Sequence, residues 1–250
     1  MAKNTLEGKI AVIVGGGGGI GKATALRLAS SGARIVVVGQ HDLAPVQDIA
    51  DSLAGDGHTA GLASITDSAT LTALAQSVRE RYGKVDILVN AAGFTQPVRH
   101  ADLEALTDQL IDEIFKVNWR GQFAAIRAFR ELLVASGDGL VVNVSSISAT
   151  TGIGSNIAYC AAKVGLDIMA ASLGRALAPH VRVINVSPGV VDTSFVPGRG
   201  ADFNDKVAST TPLGRIGTPE DTAAAIEACA THLTFTTGTT LVVDGGRQLN

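Results

Sequence analysis

Short apolar runs recur along the chain, with amphipathic stretches between them. The runs Ile10–Val14, Ile35–Val38, Thr59–Ala63, Val85–Asn90, Leu140–Val144, Val181–Val186 and Thr240–Val243 are of strand length and lack a polar face. That is the pattern of strands buried on both sides. Helical spacing predicts helices over Gly21–Ser31, Leu43–Leu53, Ser68–Tyr82, Leu103–Phe115, Asn118–Ala135, Ile157–Ala178 and Pro219–Ala230. Strands alternating with helices predict an α/β fold with helices on both faces of a parallel sheet of about seven strands. Right-handed crossovers make such a sheet doubly wound. No linker or repeat interrupts the pattern, so residues 1–250 are expected to form a single domain. One stretch differs. Asp192–Pro212 holds Pro197, Gly198, Gly200 and Pro212 with weak periodicity. It follows a strand's carboxyl end and is expected to be a mobile loop that acts as a substrate lid.

The first strand runs into Val14 and then five glycines, Gly15 to Gly19, followed by Ile20 and Gly21. A strand-to-helix turn that carries phosphate must bring backbone N–H groups close to the phosphate oxygens, and side chains would block that approach. The helix beyond points its free N–H groups and positive end at the same place. A flexible linker would also be glycine-rich. Here the glycines lie between a strand and a helix that Gly32 stops, with Ile35–Val38 following, which is the setting a dinucleotide cradle requires. Gly15, Gly18, Gly19, Ile20 and Gly21 are therefore candidate cofactor contacts.

Composition narrows the function classes. Hydrophobic residues make up 46% and charged residues 17%, which excludes a disordered chain. The net charge of −3, with no basic block, offers no footprint for nucleic acid or an anionic membrane. The apolar runs are strand-length and the first nine residues lack a signal-peptide core, so a cytoplasmic protein with no membrane span is expected. Cys160 and Cys229 are the only cysteines and are expected to be reduced. The five histidines show no metal-ligand spacing, so no metal is assigned. Cys160 and Trp119 read as packing residues.

Three polar residues carry the candidate chemistry. Leu140–Val144 delivers Ser145 and Ser146 just past a strand end. Tyr159 and Lys163 are four apart and share one helix face. A free tyrosine hydroxyl has a pKa of about 10, too high for a base at neutral pH. A neighbouring ammonium lowers it, and a cationic nicotinamide acts in the same direction. Lys163 can also hydrogen-bond the nicotinamide ribose, and Ser146 can donate to a substrate oxygen. Tyr-x-x-x-Lys alone is a weak signal, but with the glycine loop and a strand-end serine it points to hydride transfer at a carbon–oxygen bond.

From about Gly8 to Gly246 the chain resembles the classical short-chain dehydrogenase/reductase family. The resemblance rests on Gly15-x3-Gly19-Ile20-Gly21, Asn90-Ala91-Ala92-Gly93, Val117-Asn118, Ser146-x12-Tyr159-x3-Lys163 and Asn185-Val-Ser-Pro188-Gly189. It also includes Pro212-Leu-Gly-Arg215, Pro219-Glu-Asp221 and Val243-Asp-Gly-Gly246. The resemblance implies a Rossmann-type fold, NAD(P)(H) as cofactor and a homotetramer in which the Asn118 and Ile157 helices pair across subunits. Tyr159 would be general acid in reduction and general base in oxidation. Ser146, by its spacing to the tyrosine, would orient the carbonyl. Lys163 would bind the ribose, and Asn118 would help hold a water between Lys163 and solvent while capping the helix expected to begin there. Asn90, Ala91 and Gly93 would line the adenosine side of the groove. Pro188, Gly189 and Val191 would line the nicotinamide site, with Thr193 at its carboxamide or phosphate region.

Several positions depart from the family pattern. Val14 replaces a threonine, which removes a local hydrogen bond but not the cradle. Ser64, before Ile65, replaces the aspartate of the adenine site. At the end of the second strand an acid would select NAD and an arginine one step on would select NADP; Gly39-Gln40-His41 supplies neither. Without an acid to repel phosphate the expectation tilts to NADP(H), against the proximity of Asp42. The pattern is similar to 3-oxoacyl-[acyl-carrier-protein] reductases, yet Gly137 and His180 stand near positions where carrier-protein enzymes often present arginines. Ile147, Ser148, Ile153 and residues 194–210 are expected on the substrate side, which suits a small or moderately apolar carbonyl or alcohol. Two other readings compete: a non-catalytic nucleotide sensor, and a lyase or epimerase using transient oxidation. Intact Tyr159 and Lys163 count against the first, and chain length against an added sugar-nucleotide domain.

Overall fold

The computed structural model describes residues 5–198, 200 and 202–249. Seven parallel strands form one sheet in the order β3-β2-β1-β4-β5-β6-β7. They are β1 (Ile10–Val14), β2 (Arg34–Gly39), β3 (Thr59–Leu62), β4 (Ile87–Asn90), β5 (Gly139–Val144), β6 (Val181–Pro188) and β7 (Thr239–Val243). The helices are α1 (Gly19–Ser30), α2 (Ala44–Asp51), α3 (Ser68–Tyr82), α4 (Asp108–Phe115), α5 (Gln122–Ala135), α6 (Ser148–Thr151), α7 (Ile157–Leu177), α8 (Phe203–Ser209) and α9 (Pro219–Thr231).

Alternate side chains of each strand enter different cores, which is why the strands read as unbroken apolar runs. Val12, Val14, Val36 and Val38 pack with Leu71, Leu74, Phe129 and Leu166 of α3, α5 and α7. Ala11, Ile13, Ile35 and Val37 pack with Leu28, Val46, Ile49 and Ile226 of α1, α2 and α9. The strand order reverses direction between β1 and β4, and the crevice at the carboxyl ends of those strands is where this topology places a ligand.

The strands and most helices match the expected spans to within a residue or two, with four differences. The helix expected from Leu103 starts at Asp108, where Thr107 accepts from the Leu110 N–H at 3.3 Å; Leu103 is 68% exposed and has no core to enter. The strand expected from Val85 starts at Ile87. The helix expected to begin at Asn118 does not begin there. A π-helical turn, Lys116–Gly121, joins α4 to α5, so Asn118 is interior and not a cap. Asn118 Nδ2 donates to the carbonyls of Ile114 and Phe94 at 2.9 and 2.7 Å, and π-turns of this kind recur at functional sites. The fourth difference lies within Asp192–Pro212, which holds the short helix α8.

Not every apolar run is strand-length. α7 is long and apolar enough, by length and composition, to cross a membrane, yet half of that stretch is buried and its inner face supplies Leu166, Met169 and Ala170 to the core.

Candidate active site

The glycine loop is built from close approaches. Gly15 has φ +82°, and a Cβ there would lie 2.5 Å from the Ala92 nitrogen. A Cβ on Gly21 would lie 2.2 Å from the Gly15 carbonyl oxygen, so α1 could not sit against the loop. Gly18 differs: its Cβ would meet that same oxygen at an ordinary 3.5 Å. Gly15 and Gly16 donate to Val38 O, and Gly18 donates to Gly15 O at 3.1 Å. No main-chain carbonyl among the described residues accepts from Gly19, Ile20 or Gly21, the first turn of α1. These N–H groups are the free donors of a helix start and could hold an anion. We predict that Gly15→Ala and Gly21→Ala each cost about 2 kcal/mol or more in denaturant unfolding. Gly18→Ala should stay within about 0.5 kcal/mol of wild type. Equal losses at all three positions would show that the cradle is not what makes the loop glycine-rich.

Beside this loop, a cavity of about 590 Å³ runs past the ends of β1, β4, β5 and β6. It brings together Gly18, Gly19, Ile20 and Gly21 with Ala91 and Gly93, and with Ser146, Tyr159 and Lys163. Pro188, Gly189, Val191 and Thr193 complete that wall, and Ile147, Ser148 and Ile153 line it as expected. Gly93 is closely approached: a Cβ would lie 3.1 Å from Asn118 Oδ1, which would have to give way by a few tenths of an ångström.

Ser146 leaves β5 and Tyr159 opens α7. Asn156 sets the tyrosine: fully buried, it caps α7 by accepting from the Tyr159 N–H at 2.7 Å, and its Nδ2 donates to Gln96 O at 2.8 Å. Ser148 N donates to Ser146 Oγ at 3.1 Å, which in turn donates to Ser148 Oγ at 3.1 Å. Lys163, 3% exposed, donates from Nζ to Val144 O at 2.7 Å and stands 5.5 Å from the centre of the Tyr159 ring. Burial pushes its pKa down to about 7, against the opposing pull of Asp167 one turn along α7. Burial thus works against the ammonium form that the sequence reading gives this lysine. Ser145 is not the second hydroxyl of the site in the same sense, because its Oγ donates to Asp167 at 2.8 Å.

Other expected residues lie elsewhere. Asn90 is fully buried beneath the groove and does not line it. Its Nδ2 donates to Asn143 Oδ1, Asn143 Nδ2 donates to Asn185 Oδ1, and Asn185 Nδ2 donates to Asp167 at 2.9 Å. This ladder ties the ends of β4, β5 and β6 to α7. Gln40 and Ser64 meet at 3.4 Å across the ends of β2 and β3, outside the cavity that holds Tyr159. His41 is exposed and Ile65 is 5% exposed, and neither lines that cavity. The Asp42 carboxylate accepts from the Ala44 N–H at 3.0 Å, at the start of α2. Cys160 and Cys229 are free and buried, and burial raises both thiol pKa values, so neither is poised as a nucleophile. No group of three or more His, Cys, Asp or Glu suited to a metal occurs among the described residues.

Sequence reasoning missed Asn156, Asp167, Thr151 and Arg247, and reached Phe195 and Phe203 only as part of a loop. Phe195 tilts over Tyr159 with 6.0 Å between ring centres. Arg215 and Asp221, recognised only as motif residues, form a two-pronged pair at 2.6 and 2.8 Å, and Asp221 also closes the capping box of α9. The Arg215 guanidinium holds the Asp221 carboxyl well below the usual range.

Residues 15–248 match a family model described as Enoyl-(Acyl carrier protein) reductase. A protein named for ketoacyl reduction in the granaticin polyketide synthase of Streptomyces violaceoruber is 36% identical over all of both chains. The 3-oxoacyl-[acyl-carrier-protein] reductase of Escherichia coli strain K12 is 32% identical, over 97% of this chain and 98% of its own. A solved short-chain dehydrogenase/reductase structure from Burkholderia xenovorans superposes with a TM-score of 0.89 at 30% identity, covering 97% of this chain and 98% of that one. The chain is an enzyme of the short-chain dehydrogenase/reductase family, similar to 3-oxoacyl-[acyl-carrier-protein] reductases.

Proposed function

We propose that this enzyme interconverts a small carbonyl compound and its secondary alcohol with NAD(P)(H), using Tyr159 as the acid and base. The observation that carries the reading is one cavity shared by the α1 anion cradle, Ser146, Tyr159 and Lys163. The donor set fits a dinucleotide: unpaired first-turn N–H groups for a pyrophosphate, and glycines where side chains would fill the groove. When bound, the nicotinamide supplies or accepts the hydride.

The chain's own residues handle the oxygen and the proton. With its proton turned from Ser148 Oγ to the substrate, Ser146 Oγ joins Tyr159 Oη as a pair of donors for the substrate oxygen, which fixes the carbonyl and polarises it. In reduction Tyr159 gives its proton to that oxygen, and in oxidation it takes the proton back. Lys163 binds the ribose and resupplies the proton. Both donors of the Asn118 side chain are already committed to Ile114 and Phe94, so the water expected beside it is held by an oxygen of Asn118 and not by its amide N–H groups. Asp42 is engaged at the start of α2 and no acid ends β2, which favours NADP(H).

We read residues 1–250 as one domain and the 192–212 segment as the substrate lid, since Ser194, Phe195, Val196, Phe203 and Thr210 cover the cavity. We also read the enzyme as a cytoplasmic homotetramer. Phe115, Trp119, Phe123, Ile157, Val164 and Ile168 leave an apolar face on α4, the π-turn, α5 and α7 that a second subunit can cover.

The test is oxidation of NADPH and NADH by the purified protein against ketones, 3-oxoacyl thioesters and keto-sugars. Consumption that depends on the carbonyl and prefers NADPH is the expected result. Binding of either cofactor without carbonyl-dependent consumption across the panel would move the protein to a sensing role.

A further inference from the structure

The cavity contains two charged side chains among its described lining residues, Lys163 and Arg247, and no carboxylate. Lys163 belongs to the proton chemistry. Arg247 has no part in it, and its place is on the short turn Arg247–Leu249 that follows β7. Around it the substrate side of the cavity is largely apolar: Ile147, Ile153, Phe195, Val196 and Phe203. Arg247 is only partly buried, so until a ligand fills the cavity water answers whatever the protein leaves of its charge.

The protein answers only part of it. Arg247 Nη1 donates to Thr210 Oγ1 at 2.9 Å, to Val207 O at 3.3 Å and to Thr211 Oγ1 at 3.4 Å. All three acceptors are neutral and lie at the end of α8 or just beyond it. Among the described residues no carboxylate oxygen lies within 4 Å of Arg247. The nearest acid in sequence, Asp244, is turned away, accepting from the N–H groups of Gly246 and Gln248 at 2.8 and 2.7 Å. Anchoring through Nη1 fixes the plane of the guanidinium and leaves the Nε–Nη2 edge without a partner among the described residues. That edge presents two parallel N–H groups, the geometry that matches a planar carboxylate. With one fork, one net charge and apolar neighbours, the site suits a monoanion better than a phosphate dianion.

We infer that Arg247 receives the carboxylate of the substrate, which makes the substrate class a small oxo- or hydroxy-carboxylic acid with an apolar frame. The inference rests on the proposed carbonyl chemistry for what happens at the other end of that molecule. It also separates this enzyme from one that takes only thioesters, whose acyl group carries no such charge.

The experiment is calorimetric titration of the protein saturated with oxidised cofactor, using cyclohexanecarboxylate and, separately, cyclohexanecarboxamide. A charge-assisted pair should make the acid bind about tenfold tighter than the amide, or more. Arg247→Gln should remove that preference by weakening the acid alone, and Arg247→Lys should restore part of it. Equal binding of acid and amide, no binding of the acid at millimolar concentration, or a preference that survives Arg247→Gln would overturn the inference. So would equal weakening of both ligands, because that is the result of merely releasing α8. Loss of cofactor affinity with the acid preference intact would assign Arg247 to the cofactor instead. The titration uses no turnover. A protein that binds the acid through Arg247 but oxidises no reduced cofactor keeps this inference and loses the proposed reaction.

Discussion

Tyr159→Phe is expected to lower carbonyl-dependent turnover by about 10²- to 10⁴-fold, the range for loss of a positioned acid, while cofactor affinity stays unchanged. The change is confined to one oxygen. The ring sits among Leu110, Ile114, Ala158 and Ala162, so phenylalanine fills the same space. The main-chain bond to Asn156 that fixes its position at the start of α7 does not involve the hydroxyl. Lys163 keeps its bond to Val144 O, and the α1 cradle is unaffected. The measurements are kcat with any active ketone and the dissociation constant of NADPH. Near-wild-type turnover would remove Tyr159 from the reaction. A parallel loss of NADPH affinity would mean that the phenol binds cofactor and need not move a proton.

Much of this site is legible in the sequence because its parts are local. A glycine loop between a strand and a helix announces a cradle, and Tyr159 and Lys163 announce a shared helix face. Strand ends in a parallel sheet bring Ser146 and Pro188 to the same edge without further information. The residues that were missed act over long separations. Asn156 looks like an ordinary polar residue until Gln96, sixty positions away, accepts from it. Asp167 becomes meaningful only because Ser145 and Asn185 converge on it. Arg247 enters the cavity because the chain turns after β7 toward α8, which periodicity does not encode. The unbroken run from α4 through the π-turn at Lys116–Gly121 into α5 reads in the sequence as two helices because an extra residue in a turn breaks the spacing that marks one. A Cβ on Gly121 would lie 2.7 Å from Ile65 O, so this turn is held against a neighbour remote in sequence.

Lys163→Met is expected to stabilise the cofactor-free protein while lowering turnover about 100-fold or more and weakening cofactor binding. The lysine is buried to 3% exposure, and burial lowers its pKa from 10.5 to about 7. A shift of that size corresponds to a folding cost on the order of 5 kcal/mol for the charged form. Methionine removes the amine with little change in length, but forfeits the bond to Val144 O, worth about 1 kcal/mol. Packing differences take more, and a net gain of about 2 kcal/mol at pH 6.5 is the expected result. The pH dependence identifies the cause. Between about 7 and 10.5 the unfolded lysine holds a proton that the folded one has released. Wild-type stability therefore carries a contribution that rises with pH by about 1.4 kcal/mol per unit across that window. Below the window both states are protonated and the cost is complete; above it both are neutral and the cost is gone. The methionine variant lacks this contribution, so its advantage should be largest at pH 6.5, shrink steadily above pH 7 and be gone by about pH 9. Urea unfolding at both ends of that range decides the matter. An advantage independent of pH would place the gain in packing, and a variant less stable than wild type at pH 6.5 would show that the buried amine is held in place by more than Val144 and Asp167 supply.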